Sequence, residues 1–273
     1  MLTTIRQIFR PVPKPSRPPP IIPDGQRVYA IGDIHGQLDL FNALINAVEQ
    51  DDSGRTPAHT TIILLGDLID RGADSAGVIA AARDLQARRN VRIIAGNHEE
   101  MFLQSLENSE ILRRFLKFGG RETLLSYPVD PEACHGLSLE DTRALMRRVV
   151  PAADIAFLRG FEDRIAIGDY QFVHAGIRPG VPMSDQDISD LRWIREPFLS
   201  HIGDHGWCVV HGHSITDDPE FRENRIGIDT GAYMSGRLTA LGLEGATRWI
   251  IEASNANEGI ITTLRETASR IRK

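Results

Sequence analysis

Five short apolar runs along the chain each end in a polar cluster flanked by glycine. Residues 28–31 (VYAI) lead into Gly32-Asp33-Ile34-His35-Gly36, and residues 61–65 (TIILL) into Gly66-Asp67-Leu68-Ile69-Asp70-Arg71-Gly72. Residues 91–95 (VRIIA) lead into Gly96-Asn97-His98-Glu99, residues 171–173 (QFV) into His174-Ala175-Gly176, and residues 207–210 (WCVV) into His211-Gly212-His213. Apolar runs of this length, punctuated by glycine, predict buried strands. Between the first three runs, Leu38, Phe41, Leu44, Ile45 and Val48 recur at helical spacing, and residues 74–89 carry a second helical pattern. The polar stretch 51–59 predicts a loop. The first hundred residues thus read strand, helix, strand, helix, strand, an α/β order that implies parallel strands.

Residues 99–160 predict mainly helix, with Ser138-Leu139-Glu140-Asp141 as a capped start. Gly119-Gly120-Arg121 interrupts this section, as a hinge or as a phosphate-facing loop. From Arg164 onward the chain turns strand-rich. Runs at 225–228, ending in Asp229-Thr230-Gly231, at 238–243 and at 248–253 predict a second, mixed or antiparallel sheet. Residues 1–10 fit a short amphipathic turn. Residues 11–23 hold seven of the chain's fifteen prolines and predict an extended arm, serving as a spacer or lying on the body. The expected organisation is a proline-rich arm over residues 1–23 and one domain over residues 24–273.

The charge balance narrows the partners. A net charge of -6 argues against duplex nucleic acid or an anionic membrane surface as a general partner, leaving room for a local basic pocket. No apolar stretch approaches membrane-spanning length, and the N-terminus has no apolar core of a signal peptide. Cys134 and Cys208 are the only cysteines and stand outside metal-binding spacing, which predicts buried or free thiols in a reducing, cytoplasmic compartment.

The polar clusters carry the chemistry. In α/β sheets, ligands gather at the carboxyl ends of strands, so clusters spread over nearly two hundred residues can converge. Asp33, His35, Asp67, Asn97, His174, and His211 or His213 form a mixed oxygen and imidazole set suited to manganese, iron or zinc. Six ligands are too many for one catalytic ion with an open position, and they suit two ions sharing a carboxylate. His211 stands open as a ligand or as a neighbour of the ligands. Beside Asp67 and Asp70, the planar fork of Arg71 matches phosphate.

GDIHG at 32–36, GDLIDRG at 66–72, GNHE at 96–99, VHAG at 173–176 and HGH at 211–213 together resemble the metallophosphoesterase superfamily. Within it they look like the serine/threonine phosphoprotein phosphatase branch in its compact bacterial and phage form. The motifs span residues 28 to about 243. The resemblance implies a four-layer αββα sandwich, two packed mixed sheets flanked by helices, with two divalent metal ions at the sheet edge. Carried over by motif position, Asp33, His35 and Asp67 hold one metal, and Asp67, Asn97, His174 and His213 the other. It also implies in-line attack on phosphorus by a hydroxide bridging the metals, without a phospho-enzyme. His98 is then the general acid, oriented by Asp70, and Arg71 and Asn97 contact the phosphoryl oxygens. Manganese is the first choice of metal.

Two departures bear on substrate. Ala95 stands where protein phosphatases of this branch commonly carry a second phosphate-binding arginine. Arg195 in Trp193-Ile194-Arg195-Glu196 is the candidate replacement, or else a surface partner of Glu196, with Arg225 and Arg121 behind it. The segment after Ile228 also lacks the substrate-groove sequence of the eukaryotic enzymes. The first expectation is a serine/threonine protein phosphatase. The alternative is a symmetrical dinucleoside tetraphosphate hydrolase, and the rival from another class is a catalytically silent scaffold. Oligomeric state is not legible.

Overall fold

In β1 (Gln26–Ile31), Val28 and Ala30 face one way and Tyr29 and Ile31 the other, and all four are buried. A strand apolar on both faces needs a layer on each side. The computed structural model, which describes residues 18–267, supplies both. The expected amphipathic turn at residues 1–10 and the start of the proline-rich stretch lie outside the described residues.

After β1 the chain runs through α1 (Leu38–Gly54), β2 (His59–Leu64), α2 (Ser75–Arg88) and β3 (Val91–Ile93). Then come α3 (Asn97–Ser105), α4 (Ser109–Phe115), a π-turn at Leu116–Gly120, α5 (Arg121–Leu125), α6 (Leu139–Val149) and α7 (Ala152–Arg159). The second half comprises β4 (Arg164–Ile167), β5 (Tyr170–Val173), α8 (Ile188–Trp193), β6 (Cys208–His211), β7 (Glu220–Phe221) and β8 (Arg225–Gly227). It ends with α9 (Ala232–Ser235), β9 (Arg237–Glu244), β10 (Thr247–Ala256) and β11 (Gly259–Glu266).

Two mixed sheets result, with strand orders β11-β10-β9-β1-β2-β3 and β4-β5-β6-β8-β7. Strands β1, β2 and β3 are parallel in the first sheet, and β5, β6 and β8 in the second. The sheets meet through Val28, Ala30, Ile63 and Leu241 on one side and Tyr170, Phe172, Val210 and Ile226 on the other. The opposite face of the first sheet, with Tyr29, Ile31, Ile62 and Leu64, packs on the helices. Val173 and Val209 of the second sheet pack on Leu191 of α8. This is the expected sandwich of two sheets flanked by helices.

Two expectations are corrected, and one strand was not foreseen. Residues 51–54 are the last turn of α1 rather than loop. Asp51 accepts hydrogen bonds from the Tyr29 hydroxyl at 2.6 Å and Trp249 Nε1 at 2.9 Å, and Asp52 from buried Arg27 at 2.8 Å. These tertiary bonds outweigh the local polarity of the stretch. The runs at 238–243 and 248–253 join the first sheet through β9, antiparallel to β1, and not a separate later sheet. Strand β11, largely exposed at the sheet edge, has no clear alternation to announce it.

Residues 18–23 lie against the body. Ile22 is fully buried, its N–H donates to Gly245 O at 2.9 Å, and the Tyr170 hydroxyl donates to Pro20 O at 3.2 Å.

Candidate metal centre

All the polar clusters read from the sequence sit just beyond the carboxyl ends of parallel strands, three from each sheet once Asp229 after β8 is included. Asp33, His35, Asp67, Asn97, His98, His174 and His213 are between 0 and 8 % exposed, and so are buried as a group. The backbone is bent to aim them. The non-glycine residues with positive φ among the described residues are His35, Asp67, Asp70, Arg71 and His213, all in these loops. Each costs of order 1–3 kcal/mol, a cost that persists where surrounding structure enforces it and that marks functional sites.

Asp67 is the hub. Its Oδ2 lies 3.5 Å from His174 Nε2, 3.6 Å from His35 Nε2 and 3.9 Å from His98 Nε2. Two groups of three side chains bring their ligand atoms within 4.8 Å of one another, His35 with Asp67 and His98, and Asp67 with His174 and His213, and Asp67 belongs to both.

The hydrogen bonds show why cations fit. His35 Nδ1 donates to Ile69 O and His174 Nδ1 to Leu65 O, both at 2.8 Å, so each ring presents an unprotonated Nε2 to the centre. Burial lowers the pKa of His174 and takes that of His35 down to about 3, keeping both neutral. The His174 Nε2 lone pair then faces Asn97 Oδ1 at 2.9 Å, with Asp67 Oδ2 close by. Buried His213 Nε2 has no hydrogen-bond partner among the described residues. Converging electron-pair donors with no proton between them offer what a cation needs for coordination.

Charge makes the same point. Burial, with Asp229 and Asp67 beside it, pushes the Asp33 carboxyl well above the usual range. Burial likewise pushes Asp229 up to about 6. Such a cluster of carboxylates needs protons or cations to persist. Asp33 lies outside both three-residue groups and accepts from the His213 backbone N–H at 3.1 and 3.2 Å.

A second layer fixes the first. The Glu99 carboxylate takes backbone N–H groups from Gly96, Asp67 and Leu68 at 2.9, 2.9 and 2.7 Å, locking the Asp67 loop to the start of α3. Burial, with Asp67 behind it, still pushes Glu99 up to about 7. Gly212 lies against Asp33, and a Cβ there would stand 2.0 Å from Asp33 Oδ1. Gly212→Ala must displace that carboxylate, and manganese affinity measured by calorimetry should fall about tenfold or more. An unchanged affinity would remove Asp33 from the centre.

His98 and Asp70 form a buried pair, Nδ1 to Oδ2 at 2.6 Å. Burial opposes charging His98, but Asp67 and Asp70 more than offset it and raise its pKa. The Thr123 hydroxyl donates to Asp70 Oδ1 at 2.6 Å, while the Asp70 N–H donates to Thr123 Oγ1 and Ser75 Oγ at 2.9 and 3.0 Å. Arg71 spans the centre, 2.9 Å from both His35 Nε2 and His98 Nε2, and its guanidinium lies 4.6 Å from the Tyr233 ring centroid.

Asp33, Asp67, Arg71, Asn97, His98 and His213 open onto one cavity of about 360 Å³. Arg195 and Arg114 reach the same cavity. Neither has a carboxylate partner among the described residues, so Arg195 is not held by Glu196. Arg225 does not reach it. That arginine is buried, ion-paired with Glu220 at 2.6 Å and bonded to Leu199 O, as an arginine inside a sheet must be to stay charged. Arg121 lines a separate cavity beside α6. His211 turns away, its Nδ1 on Gly212 O and its Nε2 on Arg225. Sequence reasoning gave no role to Asp229, Glu99, Thr123, Ser75, Tyr233 or Arg114. Only Asp229 carried a usable signal, as a polar residue beside glycine at a strand end.

Comparison with known proteins agrees with this geometry. Residues 26–232 match the family profile of calcineurin-like phosphoesterases. An asymmetrical bis(5'-nucleosyl)-tetraphosphatase, PrpE, from Bacillus velezensis is 27% identical over 236 residues, covering 77% of this chain and 86% of that protein. Serine/threonine-protein phosphatase 1 of Salmonella typhimurium is 27% identical over 219 residues, covering 78% and 90%. The crystal structure of a cold-active protein-tyrosine phosphatase from a psychrophilic Shewanella shares the fold, with a TM-score of 0.53 at 18% identity, covering 90% of this chain and 83% of that one. With three quarters of its length inside the family match, the chain belongs to the calcineurin-like phosphoesterases.

Proposed function

We propose that this phosphoesterase works with two divalent ions, one held by Asp33, His35 and Asp67 and the other by Asp67, Asn97, His174 and His213. The observation that carries the reading is the Asp67 carboxylate common to both donor groups. The bound ions, manganese first and iron or zinc as alternatives, supply Lewis acidity that brings the pKa of water toward neutrality and offsets phosphoryl charge. Arg71 and Asn97 hold the phosphoryl oxygens. His98 delivers a proton from Nε2 to the departing oxygen, and Asp70 fixes its ring through Nδ1. Metal analysis of the purified protein, expected near two ions per chain, tests the centre.

Thr123 bears on the acid step because its hydroxyl leaves Asp70 Oδ2 free for His98. Thr123→Val should slow turnover of a poor leaving group about tenfold, within the range general acid catalysis supplies. It should leave p-nitrophenyl phosphate much less affected, with Thr123→Ser restoring the rate. Equal losses on both substrates would mean that Thr123 only supports the fold.

For the substrate, the geometry favours a dinucleoside polyphosphate over the phosphoserine or phosphothreonine that the sequence put first. One phosphoryl group is served by Arg71 and the metals, yet Arg114 and Arg195 also face the cavity. The name of the Bacillus relative supports this reading. The name of the Salmonella relative supports the phosphoprotein. With manganese present, kcat/KM on diadenosine tetraphosphate should exceed that on a phosphoserine peptide, and the opposite order would restore the protein substrate. The products decide between symmetrical cleavage to two ADP, as the sequence suggested, and asymmetrical cleavage to ATP and AMP.

A further inference from the structure

We propose that Arg114 and Phe118 form an outer subsite that takes the phosphate chain and planar base lying beyond the scissile phosphoryl group. The proposal rests on reading the metal centre as the place where phosphorus is attacked. Both residues line the catalytic cavity from one helical segment, Arg114 on α4 and Phe118 on the π-turn that follows. The neighbouring Arg113 is paired with Glu110 at 2.6 Å, whereas Arg114 has no carboxylate partner among the described residues. A guanidinium in this state is available to a phosphate, which it can grip at two oxygens.

Phe118 is 45% exposed, an unusual state for a phenylalanine, and Ile215, 40% exposed, stands on the same cavity. Apolar side chains open at the rim of a polar pocket offer a ligand's apolar face something to cover. Trp193 lines the same cavity, its Nε1 donating to Glu100 at 2.7 Å. Aromatic faces beside arginines suit a nucleobase joined to a phosphate chain.

The segment is not free to drift. Gly119, with φ 107°, sits so close to Arg71 that a Cβ would come 2.6 Å from its Cγ, and Gly119 O accepts the Arg71 N–H at 3.0 Å. Four residues after Gly119, Thr123 contacts Asp70. The π-turn therefore fixes the outer residues relative to the inner clamp, as a subsite at a set distance from the metals requires.

The test compares two probes on the manganese-loaded chain: inorganic phosphate, which reaches only the inner site, and the β,γ-methylene analogue of ATP, which would span both. In Arg114→Gln the dissociation constant of the analogue should rise about tenfold relative to that of phosphate, and Arg114→Lys should recover part of the loss. In Phe118→Ala the analogue should weaken about fivefold or more, while inorganic tripolyphosphate, which has no base, should not follow. If phosphate and the analogue weaken in step, or neither changes, the subsite is wrong. Wild-type turnover of p-nitrophenyl phosphate is scored separately, and its absence would count against the hydrolase reading instead.

Discussion

Replacing His98 with alanine should cut turnover of an alkyl phosphate or a polyphosphate by roughly a hundredfold or more, the contribution of a positioned general acid. The imidazole is held for one task. Its Nδ1 is committed to buried Asp70 at 2.6 Å, and its Nε2 faces the cavity beside Arg71. Although burial opposes the charge, Asp67 and Asp70 raise its pKa above that of an ordinary histidine. On p-nitrophenyl phosphate, whose leaving group departs with little protonation, the loss should be far smaller. Metal content should stay near wild type, because the assigned ligands are untouched. Equal losses on good and poor leaving groups, or loss of metal, would show that His98 acts as a ligand, as its place 3.9 Å from Asp67 Oδ2 would also permit.

The convergence of the clusters was legible because an apolar run that ends in a glycine-flanked polar group identifies both a strand and the end at which ligands collect. The rule holds for β1, β2, β3, β5 and β6, and applied to β8 it would have added Asp229. The supports were harder to see. Thr123 meets Asp70 across 53 positions and Glu99 meets Leu68 across 31, through hydrogen bonds that leave no periodic trace in the chain. Arg225 shows the converse. Alternation marks a strand without revealing which arginine inside it is neutralised by a neighbour, and Glu220 on β7 claims this one.

Sheet membership was beyond reach for a related reason. Leu241 and Leu243 on β9 bury the same face as Val28 and Ala30 on β1, so the pattern fixes which side is inward but not which strand lies beside it. Nor could residue type alone have foretold the positive φ of His35, Asp67, Asp70, Arg71 and His213. Even Asp and His, the types most given to it besides Asn and glycine, adopt it at a minority of positions. Local preference yields there because Asp67 is caught by Glu99, and Arg71 by Gly119, from outside the loop. At these five positions the local rules give way where the side chains of the site are aimed.

Asp67→Asn should release both metals together. Asparagine keeps the side chain's size and its Oδ1 bond to the His98 N–H, but it removes the charge that three imidazoles and two ions would share. Elemental analysis should find both ions depleted, whereas His213→Ala should chiefly weaken one, and two full ions in Asp67→Asn would rule out the shared carboxylate. Thermal unfolding with and without metal gives a second reading. Each manganese ion at a hundred times its dissociation constant stabilises the wild type by about 2.7 kcal/mol. That is roughly 5–10 °C for a chain of this size, and the variant should lose most of it. In chelator the difference should shrink but keep its sign. Burial opposes the charge of Asp67, yet the imidazoles of His174, His98 and His35 hold its carboxyl well below the usual carboxylate range, so the charge adds stability at neutral pH and the metal-free variant should melt slightly below the wild type. A gap between variant and wild type no wider with manganese than in chelator would mean that Asp67 serves the fold and not the ions, and the case for a carboxylate shared by two cations would fail.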